Sequence, residues 1–140
     1  MIELGNEIVA AGVNPSEQLW RVSVDRSIQD VIYLKDKSLS TAGSYMEYYI
    51  KNNNKFSKQY DPRTGKPVEH NLLCAIVIGD DCALAAAYSA AFMVMGIEKS
   101  TALLDNHPDI SAIFVYEQDG EIQTLATKNV VPKYEIQYIP

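Results

Sequence analysis

From Asp81 to Gly96 the chain reads Asp-Cys-Ala-Leu-Ala-Ala-Ala-Tyr-Ser-Ala-Ala-Phe-Met-Val-Met-Gly. This is a helix with almost no polar face. Asp81 suits an N-cap, because its carboxylate can accept from the free N–H groups of the first turn. Gly96 suits the residue just past the last turn. A helix that is apolar nearly all round must be covered on most sides. Ala83, Ala85, Ala86, Ala87, Ala90 and Ala91 let neighbouring backbones approach closely. The segments around this helix must therefore be organised to bury it. Asn71 to Gly79, directly before it, is a continuous apolar run that reads as a buried strand. Before that, Lys58 to Pro67 reads as a turn. Pro62 fixes φ, Gly65 permits φ > 0, Pro67 withholds a ladder N–H, and Asp61 can accept from the backbone two residues on. The unit is turn, strand, buried helix.

The rest of the chain supplies strands. Ile2 to Ala11 reads as one strand closed by Gly12, Asn14 and Pro15. Leu19 to Asp25 alternates Trp20, Val22 and Val24 with Arg21, Ser23 and Asp25, so it reads as a half-buried strand in a hairpin with the first. Short strands at Val31 to Lys35 and Ser38 to Ala42 flank Lys35-Asp36-Lys37. Tyr45 to Ile50 and Lys55 to Tyr60 flank three asparagines and read as another hairpin, with a short helix over 45–50 as the alternative. Ile97 to Asn106 reads as an amphipathic helix with Ala102, Leu103 and Leu104 inward and Glu98, Lys99 and Asp105 outward. Ile110 to Glu117 and Glu121 to Ala126 form a hairpin about Asp119-Gly120, and Tyr134 to Ile139 can add an edge strand. The expected class is α+β: a mostly antiparallel sheet with two consecutive helices packed on one face.

At 140 residues the chain fits a single domain, 1–140, and a hydrophobic content of 47% gives it a real core. A net charge of −6 argues against nucleic acid as a partner. Lys51, Lys55, Lys58 and Lys66 cluster locally and read as a solvated hairpin. No apolar run reaches the length of a membrane span, and there is no signal peptide pattern. Cys74 and Cys82 read as reduced thiols. Asp81 reads as the helix cap, with Asp80 in solvent, rather than as half of a metal pair. His107, before Pro108, reads as a surface residue.

Five ordered segments are together similar to one known family. Asp61-Pro62-Arg63-Thr64-Gly65-Lys66-Pro67, the strand after it, and Asp81-Cys82 with the Ala-rich helix to Val94-Met95-Gly96 resemble the ApbE family of FAD:protein FMN transferases. Glu3-Leu4-Gly5-Asn6-Glu7-Ile8 resembles the family's Gly-Gly-Glu/Asp strand. Trp20-Arg21-Val22 and Ser40-Thr41-Ala42-Gly43-Ser44-Tyr45 resemble its Trp-Arg-Val and Ser-Thr-Ser-Gly-x-Tyr segments. The resemblance covers the family's second half, so the chain reads as a short relative or a fragment. The FAD-binding Asp-Leu-Gly-Gly-Ile-Ala-Lys-Gly segment would precede it. Family members are usually exported and lipid-anchored, and this sequence leaves the compartment open.

The resemblance implies FAD and Mg²⁺ as cofactors and three chemical positions. The family's helix carries Asp and Thr as metal ligands, and on alignment to Gly96 these positions are Ala86 and Ala90. The family's His before the turn falls on Lys58, a poor base while protonated. Methyl groups cannot ligate a hard cation that demands near-octahedral oxygen. The expectation is therefore a chain that is inactive alone and holds neither FAD nor Mg²⁺ tightly. The alternative is a non-catalytic flavin-binding or assembly module. Thr41, Gly43, Asp61, Arg63, Thr64 and Gly65 form the candidate cofactor-binding set. Arg63 and Thr64 can hold a phosphate, although a turn needs neither side chain. Thr41 and Ser44 can cap a turn or touch a nucleotide. Tyr45, Tyr48, Tyr49 and Tyr60 can stack on a flavin or pack across a hairpin. The partner expected is a second copy, or a separate chain supplying the other half, covering a helix face that includes Tyr88, Ala91 and Met95.

Overall fold

The computed structural model describes residues 1–23, 30–43, 48–51, 54–57, 59–127 and 136–138. In chain order the elements are β1 (Ile2–Leu4), β2 (Glu7–Ala10), β3 (Trp20–Ser23), β4 (Asp30–Leu34), β5 (Lys37–Gly43), β6 (Tyr48–Lys51), β7 (Asn54–Ser57), β8 (Tyr60–Asp61), β9 (Lys66–Pro67) and β10 (Leu72–Gly79). Then come α1 (Cys82–Met95), α2 (Ile97–Leu104), β11 (Ser111–Gln118), β12 (Glu121–Ala126) and β13 (Ile136–Tyr138). A six-stranded sheet runs β1-β2-β5-β10-β11-β12 and a three-stranded sheet runs β13-β4-β3. All the pairings are antiparallel. The class is α+β, as the sequence implies.

β10 lies inside the large sheet, and its side chains divide between two cores. Cys74, Ile76 and Ile78 join Ile8, Leu39, Ile113 and Val115 against Val22, Ile32 and Leu34 of the small sheet. Ala75 and Val77 face Ala85, Phe92 and Met93 of α1, together with Ala112 and Phe114. A strand buried on both faces has no polar side, which is why its sequence is a continuous apolar run. A bulge between Leu72 and Cys74 places Leu72 on the helix side as well. On that side Phe92 meets Phe114 edge-on with ring centroids 5.6 Å apart, and Tyr88 adds to Phe92 at 5.7 Å.

The caps of α1 are as expected. Leu84 N–H donates to Asp81 Oδ1 at 2.9 Å, and Gly96 N–H donates to Phe92 O at 2.9 Å. Gly96 has φ +76° and ψ 173°, and it is also the residue from which α2 starts. His70 closes the same end, its Nε2 lying 2.8 Å from Met93 O.

Several expectations change. Ile2 to Ala11 is two strands, because Gly5, at φ +64°, turns the chain so that Leu4 pairs with Glu7. Trp20–Ser23 does not pair with the first strand. It pairs with β4 in the small sheet, since Val22 finds its cover there. Ala102 is exposed, while Leu104 is buried and Leu103 half-buried, so the inward stripe of α2 is narrower than expected. Asp80 is exposed, as expected, and also forms an ion pair with Lys37. His107 is half-buried, its ring 5.8 Å from that of Tyr88. Tyr88 and Met95 pack against the helix-side core, so the bare side of α1 is the other one: Ala83, Ala87 and Ala90. The hairpin about the asparagines is present as β6 and β7. Ser44 and Tyr45 lie outside the described residues, and β13 takes the edge of the small sheet beside β4.

Candidate functional site

The turn from Asp61 to Lys66 is built from its own side chains. Thr64 and Gly65 N–H groups both donate to Asp61 O, at 3.1 and 2.8 Å. Gly65 takes φ +66°, which an L side chain resists. Arg63 N–H donates to Asp61 Oδ1 at 2.9 Å, the backbone bond expected of an Asp two residues earlier. Arg63 also forks onto the same carboxylate, Nε to Oδ1 at 2.9 Å and Nη2 to Oδ2 at 2.7 Å. These Arg63 hydrogen bonds, first those of the side chain and then that of the backbone, hold the Asp61 carboxyl down at about 2, from 3.8. The carboxylate in turn pushes the Arg63 guanidinium up. Thr64 Oγ1 accepts from Lys66 N–H at 3.2 Å. Both side chains considered for a phosphate are thus engaged within the turn.

Thr41 and Gly43 lie on β5, paired with Ile76 and Cys74 of β10. Thr41 lies two residues from Leu39, so it shares the face toward the small sheet. There it lines a cavity of about 140 Å³ with Glu3, Asn6 and Ser23. Ala86 and Ala90 are on the opposite side of the large sheet, on α1. The candidate residues therefore do not form one cluster. Lys58 lies outside the described residues, as do the side chains of Tyr48 and Tyr49; Tyr60 is exposed.

Cys82, Ala86 and Ala90 form one column of α1 at helical spacing. This column looks toward β2. Burial raises the Cys82 pKa, the Glu7 and Asp81 carboxylates raise it further, and a bond with Ser38 opposes them. Beneath the column is a polar seam that the sequence reading missed. Ser40 Oγ lies 3.4 Å from Glu7 Oε1 and 3.1 Å from Ser89 Oγ, and Ser89 Oγ donates to Ala86 O at 3.0 Å. Ser40 and Ser89 are buried. Two signals marked the seam: Ser38 and Ser40 alternate on one face of an apolar strand, and Ser89 is the single serine of an apolar helix.

The donor set can be tested against a hard cation such as Mg²⁺. Glu7 is the carboxylate of the seam, and the two hydroxyls and the Ala86 carbonyl are bonded to one another. Ala86 and Ala90 offer methyl groups. Among the described residues no group of three or more His, Cys, Asp or Glu side chains can hold a metal ion. Among the described residues, this column and seam do not offer the set of free oxygen ligands that Mg²⁺ takes.

Comparison with known proteins supplies the relationship. The ApbE family model matches residues 1–114. The FAD:protein FMN transferase of Vibrio cholerae is 27% identical over 138 residues, which is 94% of this chain and 41% of that protein. The transferase of Salmonella typhimurium is 28% identical over 127 residues, 86% of this chain and 36% of its own length. The apo crystal structure of the Pseudomonas stutzeri flavinyl transferase ApbE superposes with a TM-score of 0.79 at 32% identity, covering 91% of this chain and 40% of that one. This chain thus spans about two fifths of the length of the relatives it matches. The family model covers more than half of the sequence and the backbone superposes on that of a flavinyl transferase, so the chain belongs to the ApbE family.

Proposed function

We propose that this chain is a non-catalytic member of the flavin-transferase family, in which FAD remains the class of ligand and the metal-dependent transfer step has been lost. The observation that carries the reading is the Cys82–Ala86–Ala90 column, where methyl groups stand at both positions the family uses for metal oxygens. The Glu7–Ser40–Ser89 seam supports it. Its hydroxyls bond each other and the Ala86 carbonyl rather than pointing outward. The family's His position is Lys58, so a general base is lacking there too.

In the family reaction Mg²⁺ offsets the pyrophosphate charge while FMN passes from FAD to a Ser or Thr hydroxyl. This chain's own residues supply a self-bonded turn at Asp61–Lys66 and, apart from it, a cavity of about 140 Å³ at Thr41. With FAD, Mg²⁺ and a family acceptor protein, the acceptor stays unlabelled. Covalent flavin fluorescence on the acceptor would overturn the reading. Calorimetry with FAD and with FMN then separates a flavin binder from a pure assembly module.

The reading takes residues 1–140 as one domain, which a single cooperative unfolding transition checks. It also takes the partner to be protein, either a second copy or a separate chain. The net charge of −6 disfavours nucleic acid. Among the described residues no helix is long and apolar enough to cross a membrane.

A further inference from the structure

The helix layer does not reach the end of the large sheet. α1 lies over β5 and β10 and only grazes β2. The register shows which side chains are left bare. Glu7 pairs with Ser40 and bonds it on the helix side of the sheet. Leu4 is directly opposite Glu7, Val9 is two residues on, and Ile2 is opposite Val9. All three therefore point to the helix side. There they are uncovered: Ile2 is 71% exposed, Leu4 78% and Val9 39%. They form the floor of an open corner. Its wall is the Cys82–Ala86–Ala90 column of α1, and the ridge above is exposed Ala83 and Ala87.

We propose that this corner is an interface between two copies of the chain, in which α1 of each copy lies on the β1–β2 floor of the other. The proposal deepens the assembly reading above and rests on it for the kind of partner. The shape favours a second copy. Large side chains stand on the floor and a hollow of alanines lies on the helix beside it. A two-fold rotation puts the knobs of each copy onto the hollow of the other, as an isologous contact requires. Only a surface lined with small side chains lets Ile2 and Leu4 approach a helix backbone closely, and α1 is such a surface. The polar group of the floor, Glu7, has only the Ser40 hydroxyl near it, at 3.4 Å, so the contact must leave this carboxylate at its wet rim rather than seal it in.

The area also suffices. The six exposed residues Ile2, Leu4, Val9, Ala83, Ala87 and Ala90 present on the order of 400–500 Å² per copy, within the ~300–600 Å² range of the largest patch on a monomer, which is often a functional surface. Two copies cover about 900 Å² from these side chains alone, and the rim brings the total toward the ~1,200 Å² of a specific interface.

Sedimentation velocity and light scattering on the full chain at micromolar concentration provide the test. The expected result is a dimer. Leu4→Glu and Ala87→Glu, both exposed in the single chain and so neutral to its fold by circular dichroism, each weaken it roughly 30-fold or more. Ile122→Glu, on β12 at the far edge of the sheet, leaves it intact. A wild-type monomer overturns the proposal, with or without a different chain bound in the corner. A dimer indifferent to Leu4→Glu and Ala87→Glu, or one lost with Ile122→Glu, overturns it as well. Acceptor labelling with FAD is measured separately. A monomer that leaves the acceptor unlabelled sinks the interface and keeps the non-catalytic reading.

Discussion

Gly96→Ala is the substitution whose cost can be worked from the backbone alone. Gly96 both ends α1 and starts α2, at φ +76° and ψ 173°. That conformation is nearly closed to a residue with a Cβ and costs of order 1–3 kcal/mol. Space is not the obstacle, because the added methyl would meet His70 Cδ2 at 3.4 Å, an ordinary contact. Alanine also narrows the unfolded ensemble, which returns roughly 0.4–1 kcal/mol. The net loss is therefore ~1–2 kcal/mol. For a chain of 140 residues the unfolding entropy is about 0.3 kcal/mol/K, so Tm falls by roughly 3–7 °C. The control is Gly79→Ala, at the end of β10. Its φ is not in the left-handed range and nothing lies within 4 Å of the added atom. That variant matches the wild type or gains slightly. Urea unfolding at fixed protein concentration measures both. If Gly96→Ala stays within ~0.5 kcal/mol of wild type, or Gly79→Ala loses as much, strain at the α1–α2 junction is not what the glycine relieves.

The polar seam gives a second expectation. Ser40→Ala and Ser89→Ala each leave the other hydroxyl a partner, Ala86 O or Glu7, so each costs only ~0.5–1.5 kcal/mol, and a double-mutant cycle shows coupling of ~0.5 kcal/mol or more. Phe92→Ala empties a fully buried site and lowers stability by ~3–5 kcal/mol in the same urea assay. Asp61 has its pKa depressed from 3.8 to about 2, so its contribution is fully present above pH 3.8 and is lost as pH falls through about 2. In an NMR titration Arg63→Ala returns the Asp61 carboxyl toward its ordinary value, and an unmoved titration would detach the shift from the fork. Ala86→Asp with Ala90→Thr places oxygen at two helix positions that are not fully buried, and calorimetry should then register tighter Mg²⁺ binding than in the parent chain.

What the sequence made legible was local. β10 and α1 announce themselves because a strand buried on both faces and a helix buried on most sides leave no room for polar residues. The Asp61–Gly65 turn is written in Pro62 and Gly65, whose φ preferences need no tertiary context. Gly5-Asn6 carried a hairpin signal of the same kind, hidden inside an apolar run that reads equally well as one strand. The sheet that Trp20–Ser23 joins was not legible, since its alternation says that one face is buried and nothing about what buries it. The Lys37–Asp80 pair spans 43 positions and follows from β5 and β10 being neighbours. The same limit held at the site. Thr41 and Ala86 both fall in family-like segments, and only the parity of β5 reveals that the central sheet stands between them.

The bulge in β10 has a consequence for which length changes the chain tolerates. Residues 74 to 78 alternate between the two cores in strict phase, so losing any one of them would carry every side chain on one side of the cut into the wrong core. Leu73 is the exception. It is the extra residue between Leu72 and Cys74, and those two already point to opposite faces. Excising Leu73 would make them neighbours with the alternation intact, turning an irregular strand into a regular one. Position 73 acts as an expansion joint where the segment from the turn can slip by one residue without disturbing either core, and evolutionary insertions and deletions in this strand should gather there.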